Sequence, residues 1–127
     1  IDTPAGISDA SGKALREAEL VLVPVAPGPA DVWALGITAT AVETVRSLGA
    51  NVRALAVINR GIARSRFTMK LPEAVATSGM QLAETMLCNR VAYAEAMAIG
   101  QSVLTYDPDG SAATEVRALL AEVFAWV

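Results

Sequence analysis

The first residues that could do chemistry lie at the start of the chain, in Asp2-Thr3-Pro4-Ala5-Gly6. An Asp at the end of a buried strand can hold a Mg²⁺-bound water, and a Gly just beyond it lets a backbone N–H approach a phosphate closely. The spacing therefore suits a contact of Asp2 and Gly6 with Mg²⁺ and a terminal phosphate. The alternative for so short a segment is a strand end followed by a Pro-Gly turn.

A second candidate group is a cluster of positive charge between positions 60 and 70. It holds 4 of the chain's 10 basic residues and no acid, although the chain as a whole carries a net charge of −3. That balance does not indicate a general nucleic-acid binder. The cluster is either a phosphate-binding patch or a solvated helix face. Its members are Arg60, Arg64, Arg66 and Lys70.

Several kinds of site are excluded by composition. Cys88 is the single cysteine and there is no histidine, so an internal disulfide, a zinc site and a His-based triad are impossible within this chain. Gly12-Lys13 imitates a phosphate-binding P-loop, but five residues separate Gly6 from Gly12, and Ala14 lacks the hydroxyl that would hold Mg²⁺. We reject it as a P-loop. The lone cysteine favours a cytoplasmic setting.

The elements that must position these residues alternate between strands and helices. The unbroken apolar run 20–26 predicts a central strand covered on both faces, with Pro24 near its end and Asp31 as the N-cap of the next helix. The run 52–59 predicts the next strand, and 85–89 is a weaker strand candidate. Helices are predicted over 8–19, 30–48, 67–80, 91–99 and 112–126, with a loop over 101–110. The pattern predicts an α/β fold, a parallel sheet with helices on both faces, in a single domain spanning 1–127.

Length and hydropathy limit how many domains the chain can form and whether it can span a membrane. Its 127 residues suffice for one domain, and 54% of them are hydrophobic with a mean hydropathy of +0.44. No run approaches the roughly 20 apolar residues of a membrane span. The apolar surplus and the strand-like Ile1 predict that this is the C-terminal part of a longer domain; the alternative is an N-terminus exposed by processing.

Several segments together resemble the ParA family of partition ATPases, which belongs to the deviant-Walker P-loop class with MinD. The resemblance spans the chain in order and is nearest to the small ParA/ParF-type proteins. Gly28 departs from it, because the family commonly has Ser there. The segments are IDTPAG, ELVLVPVAPGPADVWAL, a strand ending in Asn59-Arg60, LCNRVAY, and Asp107-Pro108 ahead of AATEV.

The resemblance implies a P-loop NTPase-like fold of which this chain is the C-terminal half. The Gly-rich loop with two lysines is absent, so the chain alone is not expected to hydrolyse ATP. The resemblance implies that Asp2 acts catalytically through a water on Mg²⁺, with Pro4 and Gly6 in the same nucleotide-sensing segment. It further implies that ATP's adenine is framed by Asn59, Arg60, Asp107 and Pro108. The amide of Asn59 can donate to and accept from a purine edge, although it can equally end a strand by capping a turn.

The resemblance also implies partners. They are a second copy in an ATP-dependent homodimer, a centromere-binding ParB-like protein, and nonspecific DNA held by the 60–70 cluster and Arg90, without a membrane. Location would be cytoplasmic, on the nucleoid. Trp33 either anchors a partner surface or packs under its own helix. The rival functions are a MinD-like positioning ATPase, which a basic C-terminal helix would favour, and a non-catalytic relative that acts through its interfaces.

Overall fold

The computed structural model describes residues 1–3 and 8–126, and in this part of the chain three strands alternate with six helices. No helix within it is long and apolar enough to cross a membrane. In chain order the elements are α1 (Asp9–Glu17), β1 (Leu20–Val25), α2 (Pro29–Ser47), β2 (Arg53–Ile58), α3 (Arg66–Thr77), β3 (Gln81–Leu82), α4 (Val91–Ala98), α5 (Val103–Tyr106) and α6 (Ser111–Trp126).

The sheet has the order β1-β2-β3, and both pairings are parallel. β2 is the central strand, and its last five residues are buried. β1 has β2 as its single neighbour among the described residues, so the prediction that the 20–26 run forms a central strand was wrong for this part of the chain. Pro24 lies inside β1, in register with Val57. An edge strand tolerates a proline whose missing N–H faces away from its neighbour.

Helices cover both faces of the sheet, as the alternation predicted. On one face, Val23 and Ile58 pack with Leu35 of α2 and Val75 of α3. On the other face, Leu55, Val57 and Ala83 pack with Leu119 and Trp126 of α6. Because alternate residues of a strand point to opposite faces, the continuous apolar run of β2 contributes to both layers.

Helix ends follow local chemistry, with one correction. Ser8 caps α1 by accepting from the Ser11 N–H at 3.2 Å. Asp31 is not the N-cap of α2; Gly28 is, and Asp31 lies in the first turn, where a carboxylate still complements the helix dipole. Gly49, at φ +95°, follows α2 where a left-handed residue is needed to leave the helix.

Three predicted bounds differ from the structure. α3 continues through Pro72 but ends at Thr77, and β3 is the two-residue strand Gln81–Leu82 instead of 85–89. The later segment makes only an isolated bridge, Gly61 to Cys88. The predicted loop 101–110 contains the short helix α5, which begins at a Ser102 cap. Short elements have too few residues for a periodicity, so the sequence gives little signal for them.

Candidate functional site

The candidate site lies where the parallel strands end. The Asn59 N–H donates to the Val25 carbonyl at 2.9 Å, so the segment after β2 and the Pro-Gly-Pro corner after β1 leave the sheet at the same edge. Parallel strands joined by a helix predict this shared edge, because both strands then end on the same side of the sheet. In open α/β sheets, ligands bind at this carboxyl edge.

Asn59 and Arg60 are presented differently at this edge. Asn59 is half-buried, and within the described residues its side-chain amide forms no hydrogen bond, which leaves both its donor and its acceptor available. Arg60 is exposed and left-handed at φ 57°, as is Arg64 at φ 64°. Residues with a side chain adopt this conformation at a cost of about 1–2 kcal/mol, so the surrounding structure must hold the turn between them.

Gly61 joins this turn to the segment that precedes α4. Its N–H donates to the Leu87 carbonyl at 2.9 Å, and its own carbonyl accepts from the Asn89 N–H at 2.8 Å. A Cβ on Gly61 would lie 2.9 Å from Cγ of Met86 and closer still to the Met86 sulfur. A side chain at position 61 would therefore displace the Met86 side chain.

The Glu115 carboxylate of α6 accepts hydrogen bonds from the segment that leads into α4. One carboxylate oxygen accepts from the Cys88 N–H at 3.0 Å and from the Tyr93 hydroxyl at 3.3 Å. The other accepts from Arg90 at 2.9 Å through Nε and 2.6 Å through Nη2. The Glu115 side chain is 15% exposed and that of Arg90 37% exposed. Arg90, predicted to bind DNA, is thus held by a carboxylate; its DNA role stays a prediction.

The Glu115 cluster shifts the titration of its members. Burial alone would raise the pKa of Glu115, but the hydrogen bonds from Arg90 and Cys88 outweigh it and leave that pKa below its ordinary value. Burial and the neighbouring carboxylate raise the pKa of Tyr93 to about 12. Burial also raises the pKa of the Cys88 thiol, which keeps it protonated at neutral pH.

A second carboxylate of α6, that of Glu122, accepts hydrogen bonds from the chain just after β3. Glu122 accepts from the backbone N–H of Glu84 at 2.7 Å and of Thr85 at 3.0 Å. Glu115 and Glu122 are seven positions apart, so they lie on one face of the helix. Sequence reasoning missed both contacts, because nothing local marks either residue as a partner of a segment some thirty residues earlier.

The predicted adenine residues Asp107 and Pro108 lie in the segment between α5 and α6. They follow α5 in an exposed turn, where the Gly110 N–H donates to the Asp107 carbonyl at 3.1 Å and Arg117 donates to the Pro108 carbonyl at 2.7 Å. In the described part of the chain no hydrogen bond or ion pair joins this turn to Asn59 or Arg60. Their shared role stays a prediction.

The predicted metal and phosphate residues are only partly described. Asp2 is exposed and lines a groove beside β1, whereas Pro4 and Gly6 lie outside the described residues. Residues 1–3 and 8–126 contain no group of three or more acidic, Cys or His side chains that could hold a metal ion. The purine contact of Asn59 stays a prediction, and no donor set among these residues fits Mg²⁺.

The basic cluster is exposed and forms no ion pair with any residue that the structure describes. Within the described residues the two ion pairs are Arg46–Glu43 and Arg90–Glu115, so neither uses a residue of the 60–70 segment. All four cations of that segment are exposed. Exposed apolar side chains lie between them, with Phe67 at 58% and Met69 at 72% exposure. The arrangement offers a polyanion several free charges on one segment.

Comparison with known proteins gives a distant relative. No protein-family model matches the chain. The chain is 30% identical, over 125 residues or 97% of its length, to the maintenance of carboxysome distribution protein A of Halothiobacillus neapolitanus. It spans 58% of that relative's length. The similarity is consistent with the ParA-type resemblance of the sequence motifs.

Proposed function

We propose that these residues are the C-terminal portion of a ParA-type ATPase that positions a cellular body. The observation that carries the proposal is the match to the maintenance of carboxysome distribution protein A, which runs through nearly the whole chain. The name of that relative refers to the distribution of a large body, which favours a positioning function over metabolic catalysis. The parallel sheet, with its strand ends gathered at one edge, is a suitable support for a nucleotide.

In this proposal the described residues supply the base side of the nucleotide site. The Asn59 amide, which forms no side-chain hydrogen bond within the described residues, would pair with the adenine edge, and Arg60 would lie beside it. Asp107 and Pro108 would complete the frame. Asp2 would act through a water on Mg²⁺, together with Pro4 and Gly6. The described residues contain no group of three acidic, Cys or His side chains that could hold Mg²⁺ directly, so the proposed contact of Asp2 runs through water.

The proposed partners follow from the same function. ATP would close a homodimer, the exposed 60–70 cluster would bind DNA phosphates without sequence preference, and a ParB-like protein would stimulate release. The free cations of the cluster support the DNA contact, since phosphate binding needs only clustered positive charge. Arg90 would join this surface only if it leaves Glu115.

The test is ATP binding by the polypeptide of the complete reading frame. Asn59→Ala removes the proposed purine contacts, and we expect the Kd for ATP to rise by about tenfold, the equivalent of one or two hydrogen bonds. Asn51→Ala is the matched control, because Asn51 is exposed at the opposite edge, just before β2. Isothermal titration with a non-hydrolysable ATP analogue would measure both. Equal affinities in the two variants would contradict the base-side assignment.

A further inference from the structure

We propose that Glu115 of α6 is a positioning residue for the 59–60 bend, which consists of Asn59 and Arg60 between β2 and Gly61, and that it thereby sets a preference for adenine over guanine. The inference rests on the proposed function, because it requires that the carboxyl edge holds a purine nucleotide. Glu115 touches no part of that nucleotide in this arrangement. It acts through the backbone of a segment that lies between α6 and the bend.

Backbone hydrogen bonds anchor both ends of the bend to this one later segment. Before the bend, the Ile58 carbonyl accepts from the Leu87 N–H at 2.9 Å. After it, the Gly61 N–H donates to the Leu87 carbonyl at 2.9 Å, and the Gly61 carbonyl accepts from the Asn89 N–H at 2.8 Å. Arg60 is left-handed between these anchors, a conformation that is costly for a residue with a side chain. The position of the bend therefore depends on the segment that anchors it.

Glu115 holds the opposite edge of the 87–89 segment. Backbone groups of alternate residues point to opposite edges, so the Cys88 N–H points away from Gly61. The Glu115 carboxylate accepts from that N–H at 3.0 Å. Among the described residues β3 is the outermost strand on this side of the sheet, so the carboxylate takes the place of a neighbouring strand. Without it, the segment would be anchored along one edge only.

The carboxylate is itself fixed by side chains at the start of α4. Arg90 donates to one oxygen at 2.9 Å and 2.6 Å, and the Tyr93 hydroxyl donates to the other at 3.3 Å. The Glu115 side chain is only 15% exposed. Two nitrogens of one guanidinium on the same carboxylate restrict its orientation. The support of the bend is thus a fixed group and not a mobile surface side chain.

A fixed bend matters because of how an amide recognises purines. The Asn59 amide can accept from the exocyclic amino group of adenine and donate to the neighbouring ring nitrogen. Guanine presents two acceptors at these positions, so one of the two contacts is lost. Asn59 forms no side-chain hydrogen bond within the described residues, so its backbone alone determines where the amide lies. Two simultaneous hydrogen bonds tolerate little displacement of that backbone.

Glu122 provides a matched control on the same face of α6. It also accepts from backbone N–H groups, those of Glu84 at 2.7 Å and Thr85 at 3.0 Å. Neither of these N–H groups belongs to the 87–89 segment that pairs with Gly61. Glu122→Ala therefore removes comparable contacts from the same helix and leaves the anchors of the bend in place.

Nucleotide preference tests the inference in the polypeptide of the complete reading frame. Isothermal titration gives the Kd values of non-hydrolysable ATP and GTP analogues. We expect Glu115→Ala to reduce the preference for the ATP analogue at least about fivefold, and Glu122→Ala to leave it unchanged. A loss of folded protein weakens the binding of both nucleotides equally, so a merely structural role does not change this ratio. The same ratio in the parent and in Glu115→Ala overturns the inference.

Glu115→Gln is a second variant that keeps the volume of the side chain. Its amide can still accept from the Cys88 N–H but is not ionised for Arg90, so the preference should fall by less than in Glu115→Ala. An unchanged preference in Glu115→Ala together with a reduced one in Glu115→Gln contradicts the proposed route through the backbone.

Amide hydrogen exchange measures the anchors without any nucleotide. We expect the N–H groups of Gly61 and Asn89 to exchange at least about tenfold faster in Glu115→Ala than in the parent. The Ala83 N–H, which donates to the Ala56 carbonyl at 2.8 Å, is the internal control for the rest of the sheet and should exchange at the same rate in both. Unchanged exchange at Gly61 overturns the positioning role.

The outcomes separate this inference from the proposed function. A parent that binds neither analogue rejects the proposed function, and the inference falls with it. A parent that binds both analogues equally keeps a nucleotide site and overturns the inference. Binding of the ATP analogue with the same preference in the parent and in Glu115→Ala also keeps the function and rejects the role of Glu115.

Discussion

At the scale of single residues, Gly61 connects the end of β2 to the segment before α4. We expect Gly61→Ala to lower the free energy of unfolding by about 1–3 kcal/mol, because the new methyl group would overlap Met86 in a packed region. Urea unfolding followed by circular dichroism measures the change. Met86→Ala in the same chain should recover part of the loss.

Gly36 provides the control for this substitution. It lies in the interior of α2, it is exposed, and nothing stands within 4 Å of a Cβ built on it. We expect Gly36→Ala to raise the free energy of unfolding by about 0.5–1 kcal/mol, because alanine loses less backbone entropy in a helix. Destabilisation of both variants to the same extent would show that the Met86 contact does not matter.

Glu115 is the second residue with a distinct prediction. We expect Glu115→Gln to lower the free energy of unfolding at pH 7 by about 1–2 kcal/mol, since Arg90 and the Cys88 N–H lose an ionised acceptor. The folded pKa of Glu115 is depressed, so its contribution is fully present above the ordinary value of 4.5 and is lost as pH falls through the lower folded pKa.

A pH series of unfolding experiments checks both the size and the sign of this effect. The parent and Glu115→Gln should differ most above pH 4.5 and converge in more acidic solution. Glu73→Gln is the control, because the Glu73 carboxylate forms no hydrogen bond within the described residues. A constant difference at all pH values would contradict the ionised contact.

At the scale of elements, the two tryptophans report on different helices. Trp33 of α2 is 76% exposed, so the alternative that it packs under its own helix was wrong. Trp126 of α6 packs against the buried cluster of Leu55 and Val57. We expect Trp33→Ala to change the free energy of unfolding by no more than about 0.5 kcal/mol.

Trp126→Ala should cost far more, about 2–4 kcal/mol, because α6 loses an aromatic contact with the buried face of the sheet. Denaturant titration of both variants measures the difference, and the tryptophan fluorescence of each reports the residue that remains. The same measurement tests the prediction that Trp33 anchors a partner. If Trp33→Ala greatly lowered the free energy of unfolding, Trp33 would be needed for folding and would not be available to a partner.

At the scale of the whole molecule, the position of charge matters more than its sum. The net charge is −3, yet the 60–70 segment carries four exposed cations. If this segment binds DNA, the logarithm of the affinity should fall linearly with the logarithm of salt concentration. We expect the double variant Arg64→Gln/Lys70→Gln to reduce that slope by about 1.8, or about 0.9 for each lost phosphate contact.

The double variant Arg16→Gln/Arg53→Gln removes the same charge from exposed positions on α1 and at the start of β2. Its salt slope should equal that of the parent, as measured by fluorescence anisotropy with a labelled duplex. Equal reductions in both double variants would mean that DNA responds to overall charge and not to the cluster.

The sequence by itself determined the features that depend on local pattern. The apolar runs 20–26 and 52–59 predicted β1 and β2, and helical periodicity predicted α2, α4 and α6 to within a few residues. Parallel pairing followed because a helix intervenes between the two strands. The carboxyl edge and Asn59 at it could therefore be placed before any coordinates were known.

Only the tertiary structure decided which residues meet across the chain. The ion pair of Arg90 with Glu115, the close approach of Met86 to Gly61 and the edge position of β1 all depend on contacts between separate elements. Hydrophobic periodicity predicts that one face of an element is buried, but it does not identify the residues that cover that face. The free energy of burying apolar surface is non-directional, so it does not select a particular partner. Partners some 25 residues apart are fixed only when the elements pack.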